Sequence, residues 1–568
     1  MTDPGATSWR RLRLRRLAWL AAVVSLALLL LSVRLFQLQV VRGAELSARA
    51  VAQRTDALPL SLGRGLILDR NLRPLHGPLV SWRLVAFAPY VEDPFRAALQ
   101  IAGLTGIEAR RVYDALRDAN GFVVIGGPLG AAQAGAGPAP LPPGFALVQF
   151  EERYGPGAVA PHVVGYVRLA DNVGVAGLEK AFDTELKGRQ SLTLLTRYDA
   201  YRRPLGGFRF LRAGDPAGGH DIVTTLDWGL QQRVEEVLAR HRRTAAAVVV
   251  DARTGGILAM ASHPGFHAAR LGDYLDRTED QPLVNRAVSA YPPGSVFKIV
   301  TAAAALERGV LTDDRRFHCR GYIDVGDRRF PSRCPGGAGS LITWEQAFAA
   351  SSNEVFIEVG LELGAGPLLE AAAAFGFGRV TGVSLPAERA GHLPAAGDIR
   401  FAGDVANLAI GQGPLTVTPL QAAQFLTAVV NDGRLQPVHL VREIRRGDGL
   451  LVREFTPPPP QQVMSPGTAA ALRRALRAVV REGTGTLAEV QIYGAAGKTG
   501  TAETGRPLPW GGELSHAWFA GYAPATLPRY IIVVLVEGGQ SGPLVAAPLF
   551  GDVAEAVLGH AGAPSRIP

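Results

Sequence analysis

The chain has 568 residues, 47% of them hydrophobic and 19% charged, and its formal net charge at pH 7 is +9. A chain of this length exceeds one ordinary domain, and its composition excludes an intrinsically disordered protein. The arginines are scattered and form no basic stripe interleaved with aromatic residues, so we expect no nucleic-acid partner. The charge favours an anionic surface as the electrostatic partner.

The N-terminus combines a basic cluster with an apolar segment. Five arginines fall between residues 10 and 16, and residues 17–33 carry no charge. This apolar length lies at the lower end of what spans a bilayer, and Arg34 is placed to snorkel at its far end. Because basic residues favour the cytoplasmic side, we predict a single-pass anchor with a cytoplasmic N-terminus and an extracytoplasmic remainder. A cleaved signal peptide is the alternative, but the apolar core is long for one.

After the anchor, short apolar runs alternate with Gly, Asn and Pro at residues 58–75, a pattern typical of strands and turns. The segments "FRAALQIAGL" and "EARRVYDALRDA" have helical periodicity, and the low-complexity residues 127–144 predict a mobile loop. A cluster of Gly, Pro and Asp before "IVTTLD" predicts a domain boundary near residue 222.

The second half of the chain alternates between strands and helices. Residues 245–262 predict a hairpin, and "SVFKIVTAAAALERG", "LITWEQAFAASSN" and "SPGTAAALRRALRAVVREG" predict helices. The segments "SHAWFAGYAP" and "PRYIIVVLVEG" predict strands before a closing helix in "LFGDVAEAVLG". Together they indicate an α/β domain whose sheet pairs antiparallel strands through hairpins.

The chain contains only four lysines, and the other 55 basic residues are arginine. Lys298 follows Ser295 by three residues in "YPPGSVFKIV", so both side chains lie on one face of the predicted helix. A lysine amine that is kept neutral by burial or nearby cations takes up a hydroxyl proton, whereas arginine stays protonated. The pattern predicts a nucleophilic serine with a lysine base, although S-x-x-K alone also fits a helix cap followed by a surface lysine.

Two further motifs carry polar side chains. "AASSNEVF" places Ser351 and Asn353 two residues apart on a turn after a predicted helix, which alone would fit a helix C-cap. "YGAAGKTGTAE" places Lys498 beside hydroxyls that hold a carboxylate, and Gly500 lets another backbone approach the strand closely. The "GKT" also occurs in phosphate-binding loops, but Ile492 stands where that loop needs glycine.

The order S-x-x-K, S-x-N, K-T-G is the signature set of penicillin-recognising serine enzymes. With it, the chain resembles the class B penicillin-binding proteins, the monofunctional peptidoglycan transpeptidases. "RGLILDRN", "HVVGYV" and "GVAGLEKAFD" are similar to the family's non-catalytic pedestal, and "NRAVSAYPPGSVFK", "IGQGPLTVTPLQ" and "HAWFAGYAP" to its transpeptidase domain. Leu72 and Gly155 depart from the family pattern, away from the proposed site.

The resemblance implies a multidomain fold of α+β and α/β type. Its parts are an N-terminal transmembrane helix, an elongated α+β pedestal, and a transpeptidase domain with an antiparallel β-sheet flanked by helices, as in serine β-lactamases. On this chain it predicts a cytoplasmic tail at residues 1–16, an anchor at 17–40, a pedestal at 41–222 and a transpeptidase domain at 223–562.

The resemblance also implies a mechanism. Ser295 attacks the penultimate D-Ala carbonyl of a stem peptide ending in D-Ala-D-Ala, and an amine of a neighbouring stem then resolves the acyl-enzyme to form the cross-link. Lys298 is the general base, and Ser351 with Lys498 passes the proton to the leaving amine. β-Lactams acylate the same serine. Asn353 holds the amide of the donor peptide. The terminal carboxylate is bound by Lys498, Thr499, Gly500 and Thr501. The backbone N–H groups of Ser295 and Thr501 form the oxyanion hole.

Two other classes of function stay open. One is a hydrolase of the same superfamily, a D,D-carboxypeptidase or β-lactamase, which the large region at residues 40–222 argues against. The other is a non-enzymatic β-lactam sensor, which would need several membrane segments and a cytoplasmic effector.

The resemblance implies a polytopic SEDS-type glycosyltransferase as partner and no cofactor. The family includes enzymes of elongation, division and sporulation.

The two cysteines, Cys319 and Cys334, fit a non-cytosolic protein with few disulfides. Their spacing and the compartment permit a bridge, which would brace the loop before Ser351. No histidine cluster accompanies them in the sequence, so we predict no metal site.

Overall fold

The structure is a computed structural model that describes residues 4–129, 141–169, 171–188, 192–199, 209–211, 219–509 and 511–560. The chain divides into two compact units: the first comprises Met1–Ser61, Val80–Phe150 and Leu192–Ala213, and the second comprises Leu62–Leu79, Glu151–Ser191 and Gly214–Pro568. The second unit therefore contains three segments from the region predicted as pedestal, residues 62–79, 151–191 and 214–222. The boundary at residue 222 stays a prediction, and most of the loop predicted at residues 127–144 lies outside the described residues.

The first unit has two three-stranded sheets. In one, Thr193–Arg197 pairs with both Thr55–Pro59 and Arg209–Leu211. In the other, Leu79–Phe87 lies between Phe122–Leu129 and Phe145–Glu152. Two helices pack on the second sheet through a shared apolar cluster; they are Pro94–Thr105 and Ala109–Arg117. Both helices match the predicted periodic segments.

The first unit also contains the apolar N-terminal helix. Pro4–Phe36 is α-helical, continues as a π-helical turn at Gln37–Val41, and is followed by the helix Gly43–Gln53. The stretch Leu12–Val41 is long and apolar enough to cross a membrane, with a mean hydropathy of 2.2, and none of that apolar window is buried. This helix fits the predicted membrane anchor.

The segments that are similar to the family's pedestal converge on one buried carboxylate in the second unit. Glu179 is fully buried and accepts hydrogen bonds from Arg64, Arg153 and the Tyr154 hydroxyl. Arg64 also contacts Asp183 at 2.7 Å. A buried carboxylate needs hydrogen-bonding partners, and the two arginines and the tyrosine hydroxyl supply them to Glu179.

The centre of the second unit is a five-stranded antiparallel sheet. Its strands are β1 Ala245–Asp251, β2 Ile257–His263, β3 Ala496–Pro507, β4 Glu513–Ala523 and β5 Tyr530–Val536. They lie in the order β2-β1-β5-β4-β3. The predicted hairpin is the β1–β2 pair, and the predicted strands of the C-terminal segment are β4 and β5.

Both faces of this sheet are covered, which explains why β1 is apolar along its length. Ala246, Val248 and Val250 face one core, and the residues between them face the other. Helices Trp228–His241 and Ala547–His560 pack on one face. On the other face lie Pro419–Val430 and Pro466–Glu482. The apolar stretch Gly542–His560 is long enough for a membrane span, but 56% of it is buried, as in a core helix.

The remaining strands of the second unit form smaller sheets. One sheet has the order Leu451–Glu454, Val441–Arg445, Asp221–Thr224 and Ile67–Leu68. Two-stranded ladders pair Arg316–Cys319 with Ser340–Thr343, Tyr322–Val325 with Arg328–Pro331, Arg434–Leu435 with Gln461–Gln462, and Val167–Arg168 with Val173–Gly174. Further helices are Pro161–Val164, Gly177–Ala181, Asp183–Leu186, Lys298–Glu307, Trp344–Ala349, Asn353–Leu363, Ala365–Ala374 and Ala402–Ala409.

Two helices begin later than the sequence predicts. The helix predicted in "LITWEQAFAASSN" begins at Trp344, because the residues before it form a strand and the Thr343 hydroxyl caps the helix by accepting from the Gln346 N–H at 3.2 Å. The helix predicted from Ser295 begins with the 3-10 turn Gly294–Phe297 and becomes α-helical at Lys298.

Candidate active site

Ser295 lies in a turn that neighbouring backbone holds on two sides. Gly294 has a φ of +53°, a left-handed conformation that favours glycine. The Gly294 N–H donates to the Gly411 carbonyl at 3.0 Å. A Cβ at Gly294 would lie only 2.5 Å from the Thr501 carbonyl oxygen. The turn that presents Ser295 is therefore fixed between Gly411 and β3.

β3 also approaches this turn closely at Gly500. A Cβ at Gly500 would lie 2.9 Å from the Pro293 carbonyl oxygen and 3.1 Å from the Trp518 Cβ, so only glycine fits without a shift. Trp518 also donates from Nε1 to the Pro292 carbonyl at 2.9 Å. Because β3 is an edge strand of the sheet, alternate backbone groups face away from β4.

Lys298 is fully buried. Its Nζ donates to the Ser351 carbonyl at 2.8 Å and to the Asn353 Oδ1 at 2.7 Å. Burial places the pKa of Lys298 well below its usual value, and the nearby charges of Lys498 and Arg333 lower it further. The amine therefore loses its proton at a lower pH than an exposed lysine does.

Ser351 occupies a strained turn between two helices. Its φ of +58° is left-handed, which is uncommon for a residue with a Cβ and costs of order 1 kcal/mol or more. The next residue, Ser352, caps the helix Asn353–Leu363 by accepting from the Val355 N–H. Asn353 is thus the first residue of a helix, whereas the sequence predicts a turn around it. The strained turn exposes the Ser351 hydroxyl and directs its carbonyl at Lys298.

Lys498 reaches the same hydroxyl from β3. It is fully buried, and its Nζ donates to the Ser351 Oγ at 2.8 Å and to the Thr499 carbonyl at 3.2 Å. Burial lowers the pKa of Lys498 to about 7, with a further contribution from the Arg333 charge. Ser351 therefore lies between two lysines: Lys498 donates to its hydroxyl oxygen, and Lys298 donates to its carbonyl oxygen.

Five of the predicted site residues line one cavity of about 360 Å³. Those that reach its surface are Ser295, Ser351, Asn353, Thr499 and Thr501. Within the part of the chain that the structure describes, no hydrogen bond joins the Ser295 hydroxyl to either buried lysine. Such bonds are often long in unliganded enzymes and shorten when substrate binds. The structure thus brings the three motifs together in one cleft.

Comparison with known proteins identifies the family of this chain. Residues 245–555 match the penicillin binding protein transpeptidase domain. The chain is 30% identical to stage V sporulation protein D of Bacillus subtilis over 97% of this chain and 86% of that protein. It is also 28% identical to the peptidoglycan D,D-transpeptidase MrdA of Escherichia coli, over 92% of each chain. The chain belongs to the class B penicillin-binding proteins. A solved structure from a peptidoglycan synthase complex shares this fold with a TM-score of 0.70, 29% identity, and coverage of 96% of this chain and 98% of that chain.

In this penicillin-binding protein, residues 322–333, which we call the cleft hairpin, form one wall of the cavity. The Pro331 carbonyl accepts from the Asn353 Nδ2 at 3.0 Å, and the Ser332 and Ser352 hydroxyls are 2.8 Å apart. A disulfide between Cys319 and Cys334, with Cα atoms 5.6 Å apart, closes the segment that contains the hairpin. Because these two sulfurs are bonded to each other, neither is free to hold a metal.

The cavity also contains residues that sequence reasoning missed. Gln412 donates from Nε2 to the Thr501 carbonyl at 3.3 Å, and the Thr484 hydroxyl lies 2.6 Å from that of Thr499. Gln412 falls in the segment "IGQGPLTVTPLQ", to which the sequence analysis gave no site role. Thr484 follows the end of a helix, where Gly483 packs against the Ala349 carbonyl. This contact joins segments far apart in the sequence, so no local pattern predicts it.

Proposed function

We propose that this penicillin-binding protein is a membrane-anchored peptidoglycan D,D-transpeptidase that forms an acyl-enzyme at Ser295 from stem peptides ending in D-Ala-D-Ala. The observation that carries the proposal is the buried amine of Lys298, one helical turn from Ser295 and held by two oxygen acceptors. Membership in the family and similarity to a relative named as a peptidoglycan D,D-transpeptidase support the substrate class.

The hydrogen bonds of Lys298 suit it to accept a proton. A neutral amine has two N–H donors and one lone pair, and both donors have acceptors, in Ser351 and Asn353. The lone pair then remains on Nζ, which also lies 3.5 Å from the Ser351 Oγ. In the proposed first step it takes the Ser295 proton while the serine oxygen attacks the carbonyl carbon. General base catalysis of this kind contributes a factor of about 10²–10⁴ to the rate.

Ser351 is placed to return a proton to the leaving group. Its Oγ accepts from Lys498, so its own hydroxyl proton is available for donation into the cavity. In the proposed collapse of the tetrahedral intermediate, Ser351 protonates the departing amine of the terminal D-Ala and regains a proton from the lysine pair. The bond between the two alanines breaks, and the acyl group stays on Ser295.

The remaining predicted roles concern binding. Thr499 and Thr501 present hydroxyls at the cavity for the terminal carboxylate, beside Lys498 and at Gly500, where the strand has no side chain. The backbone N–H groups of Ser295 and Thr501 form the proposed oxyanion hole. Loss of one such donor costs a factor of about 10²–10³ in rate. Asn353 holds the donor amide while it also orients Lys298.

Labelling with a fluorescent penicillin tests the nucleophile. We expect the membrane fraction containing the unaltered chain to be labelled and Ser295→Ala to be unlabelled. Ser289→Ala is the matched control, because its hydroxyl donates to the Asn285 carbonyl and does not line the cavity. Labelling of Ser295→Ala at the unaltered rate would refute the assignment.

A second experiment separates transpeptidation from hydrolysis. The full chain in detergent receives a stem pentapeptide as donor and an amine-bearing stem as acceptor, and mass spectrometry quantifies cross-linked and hydrolysed products. Rising acceptor concentration should divert the acyl-enzyme to cross-linked product. A product ratio that is independent of the acceptor would instead identify a carboxypeptidase.

The proposed topology and partner extend this function. The arginines before the apolar helix support a cytoplasmic N-terminus with the catalytic domain outside, and alkaline phosphatase fused after residue 60 should then be active. The similarity to a structure from a peptidoglycan synthase complex supports a polytopic SEDS-type glycosyltransferase as partner. Co-purification of such a protein with the full chain, and its loss when the anchor is exchanged for an unrelated span, tests this contact.

A further inference from the structure

The second unit contains another large cavity, which we call the distal cavity. Its volume is about 800 Å³, and it shares no lining residue with the catalytic cavity. The ladders of the central sheet place Thr501 level with Ala245, at the start of β1. The distal cavity instead lies beside Asp251, at the other end of β1. Six residues of extended strand span about 20 Å, so the two cavities lie at different ends of the sheet.

The distal cavity is strongly basic. It is lined by one carboxylate, Asp251, and by four arginines, Arg70, Arg253, Arg442 and Arg529. Arg442 is engaged, since its Nε donates to Glu443 at 2.6 Å. The other three arginines are exposed and, among the residues that the structure describes, have no carboxylate within salt-bridge distance. The lining therefore carries more positive charge than the protein itself neutralises.

Asp251 is already used by its own turn. Its Oδ1 accepts from the Arg253 N–H at 3.1 Å, from the Thr254 N–H at 2.9 Å and from the Thr254 hydroxyl at 3.0 Å. These bonds shape the β1–β2 turn. A carboxylate with three donors on one oxygen has less capacity left to balance the neighbouring arginines.

Three separate segments bring the arginines together. Arg442 donates from Nη1 to the Arg70 carbonyl at 3.3 Å, and the Ala252 N–H donates to the Arg529 carbonyl at 2.9 Å. The pKa of Tyr530 is raised by burial, and the charges of Arg529, Asp251 and Arg70 also act on it. These charged groups therefore lie around one ring.

The backbone that carries them is fixed. The Arg70 N–H donates to the Leu226 carbonyl at 2.8 Å. In the β1–β2 turn, Gly255 has a φ of +75°, and a Cβ there would lie 2.2 Å from the Pro437 carbonyl oxygen. The Gly255 carbonyl also accepts from the His439 N–H at 3.1 Å. A rigid support costs less ordering when a ligand binds, so the cavity is prepared for recognition.

The lining indicates the class of ligand. Guanidinium groups bind phosphate oxygens in pairs, and several unneutralised arginines favour a ligand with more than one negative charge. Among the described residues that line the cavity there is no Phe, Tyr or Trp on which a nucleobase could stack. Leu527, at the same cavity, is 68% exposed and offers an apolar surface beside the charges.

We propose that the distal cavity is a binding site for a ligand that carries two or more linked phosphate groups and no nucleobase. The site goes beyond the proposed function and uses no residue of the catalytic cleft. Such a ligand would connect the turn at Arg70 with the turns at Arg253 and Arg529, and its binding should therefore raise the melting temperature of the chain.

Calorimetry with inorganic pyrophosphate tests the site. The full chain is titrated in a non-ionic detergent without magnesium, and we expect binding that weakens as chloride is added. Arg70→Gln and Arg253→Gln should each weaken it by about three- to tenfold, the range for exposed charge pairs and charge-assisted hydrogen bonds. Arg481→Gln is the matched control, because Arg481 is exposed and lines neither cavity. No binding, or equal weakening in all three variants, would overturn the proposal.

The catalytic cavity is the rival location, because it is also lined by arginines. Chain that has been acylated with benzylpenicillin should bind pyrophosphate with unchanged affinity, and pyrophosphate should not slow labelling by a fluorescent penicillin. Loss of binding on acylation would place the phosphates in the catalytic cleft and overturn the distal site. Failure of the chain to react with benzylpenicillin would contradict the proposed function and leave the result of the arginine variants valid.

A second ligand identifies the source of the phosphates. Geranyl diphosphate carries the same two phosphate groups on a short apolar chain. Tighter binding than that of pyrophosphate, reduced to the pyrophosphate value in Leu527→Ser, would support the site with the diphosphate of a lipid as its ligand. Equal affinity for the two compounds would support it with a soluble diphosphate. Geranyl diphosphate binding that is indifferent to Arg70→Gln and Arg253→Gln would count against the site.

Discussion

Lys498 donates a hydrogen bond of 2.8 Å from Nζ to the Oγ of Ser351, a residue 147 positions earlier in the chain. Ser351 in turn offers its carbonyl to Lys298 at 2.8 Å. One serine thus connects two buried amines that come from different elements, a helix and an edge strand. In the proposed mechanism this three-residue cluster and Ser295 form the catalytic unit, and its parts are expected to act together.

Lys298→Arg keeps the charge but should abolish acylation. A guanidinium stays protonated at any relevant pH, so it cannot take the Ser295 proton. We expect acylation by benzylpenicillin to slow by at least about 100-fold, measured by stopped-flow or by competition with a fluorescent penicillin. Lys180→Arg is the matched control because Lys180 is exposed and lies outside the cavity. Acylation of the Lys298→Arg variant at a normal rate would show that a neutral amine is not required.

The pH dependence of acylation should follow the buried lysines. The pKa of Lys498 is about 7 and that of Lys298 lies well below its usual value, so the rate should rise with pH and level off far below pH 10.5. The positive charge of Arg333 disfavours the protonated amines. Its removal in Arg333→Gln raises both pKa values and should move the rise to higher pH. The measurement is the benzylpenicillin rate constant across pH 5–10, and an unchanged midpoint would contradict the expectation.

Gly411→Ala should disturb the turn that presents Ser295. Gly411 has a φ of +72°, and an added Cβ would lie 2.1 Å from the Gly294 carbonyl oxygen. Gly413 is a close control, with a φ of +83° and its nearest neighbour, the Asn407 Cβ, at 3.7 Å. Both variants incur the left-handed strain of about 1–2 kcal/mol, but only Gly411→Ala adds a steric clash. Thermal denaturation and acylation rates should both be lower for Gly411→Ala than for Gly413→Ala; equal values would count against the predicted contact.

Removal of the disulfide should destabilise the wall of the cleft. Cys319 and Cys334 are 15 residues apart, and closing a loop of that size contributes about 3 kcal/mol by chain entropy. We expect the double variant Cys319→Ala/Cys334→Ala to lower the free energy of unfolding in urea and to slow acylation. Peptide mapping without reductant should recover the two cysteines in one linked pair. Alkylation of both thiols in the native protein would exclude the bridge.

The local parts of the site could be predicted from the sequence. The spacing of Ser295 and Lys298 is one helical turn, and helical geometry alone places them on one face. Gly500 in a predicted strand indicates a close backbone approach, and the structure places the Pro293 carbonyl there. The β1–β2 hairpin and the strands β4 and β5 also followed from apolar runs and turn residues, because such patterns depend on neighbours in the chain.

Contacts between segments that are far apart in the chain could not be predicted from local sequence patterns. The turn at Ser351 lies between two helices and has a left-handed φ, and no residue type there marks the strain. The approach of Arg333 to both lysines depends on a disulfide and on hydrogen bonds to Ser352 and Asn353, which meet only in the folded chain.

The sequence by itself therefore identified the family and predicted the nucleophile, and it offers a chemical reason for lysine at positions 298 and 498 in a chain with only four lysines. The tertiary structure decided the state of those lysines. Burial and the surrounding positive charge, rather than spacing, lower the pKa of Lys298 and Lys498. Desolvation is a property of everything packed around a group, so it arises only when the sheet, the helices and the cleft hairpin come together.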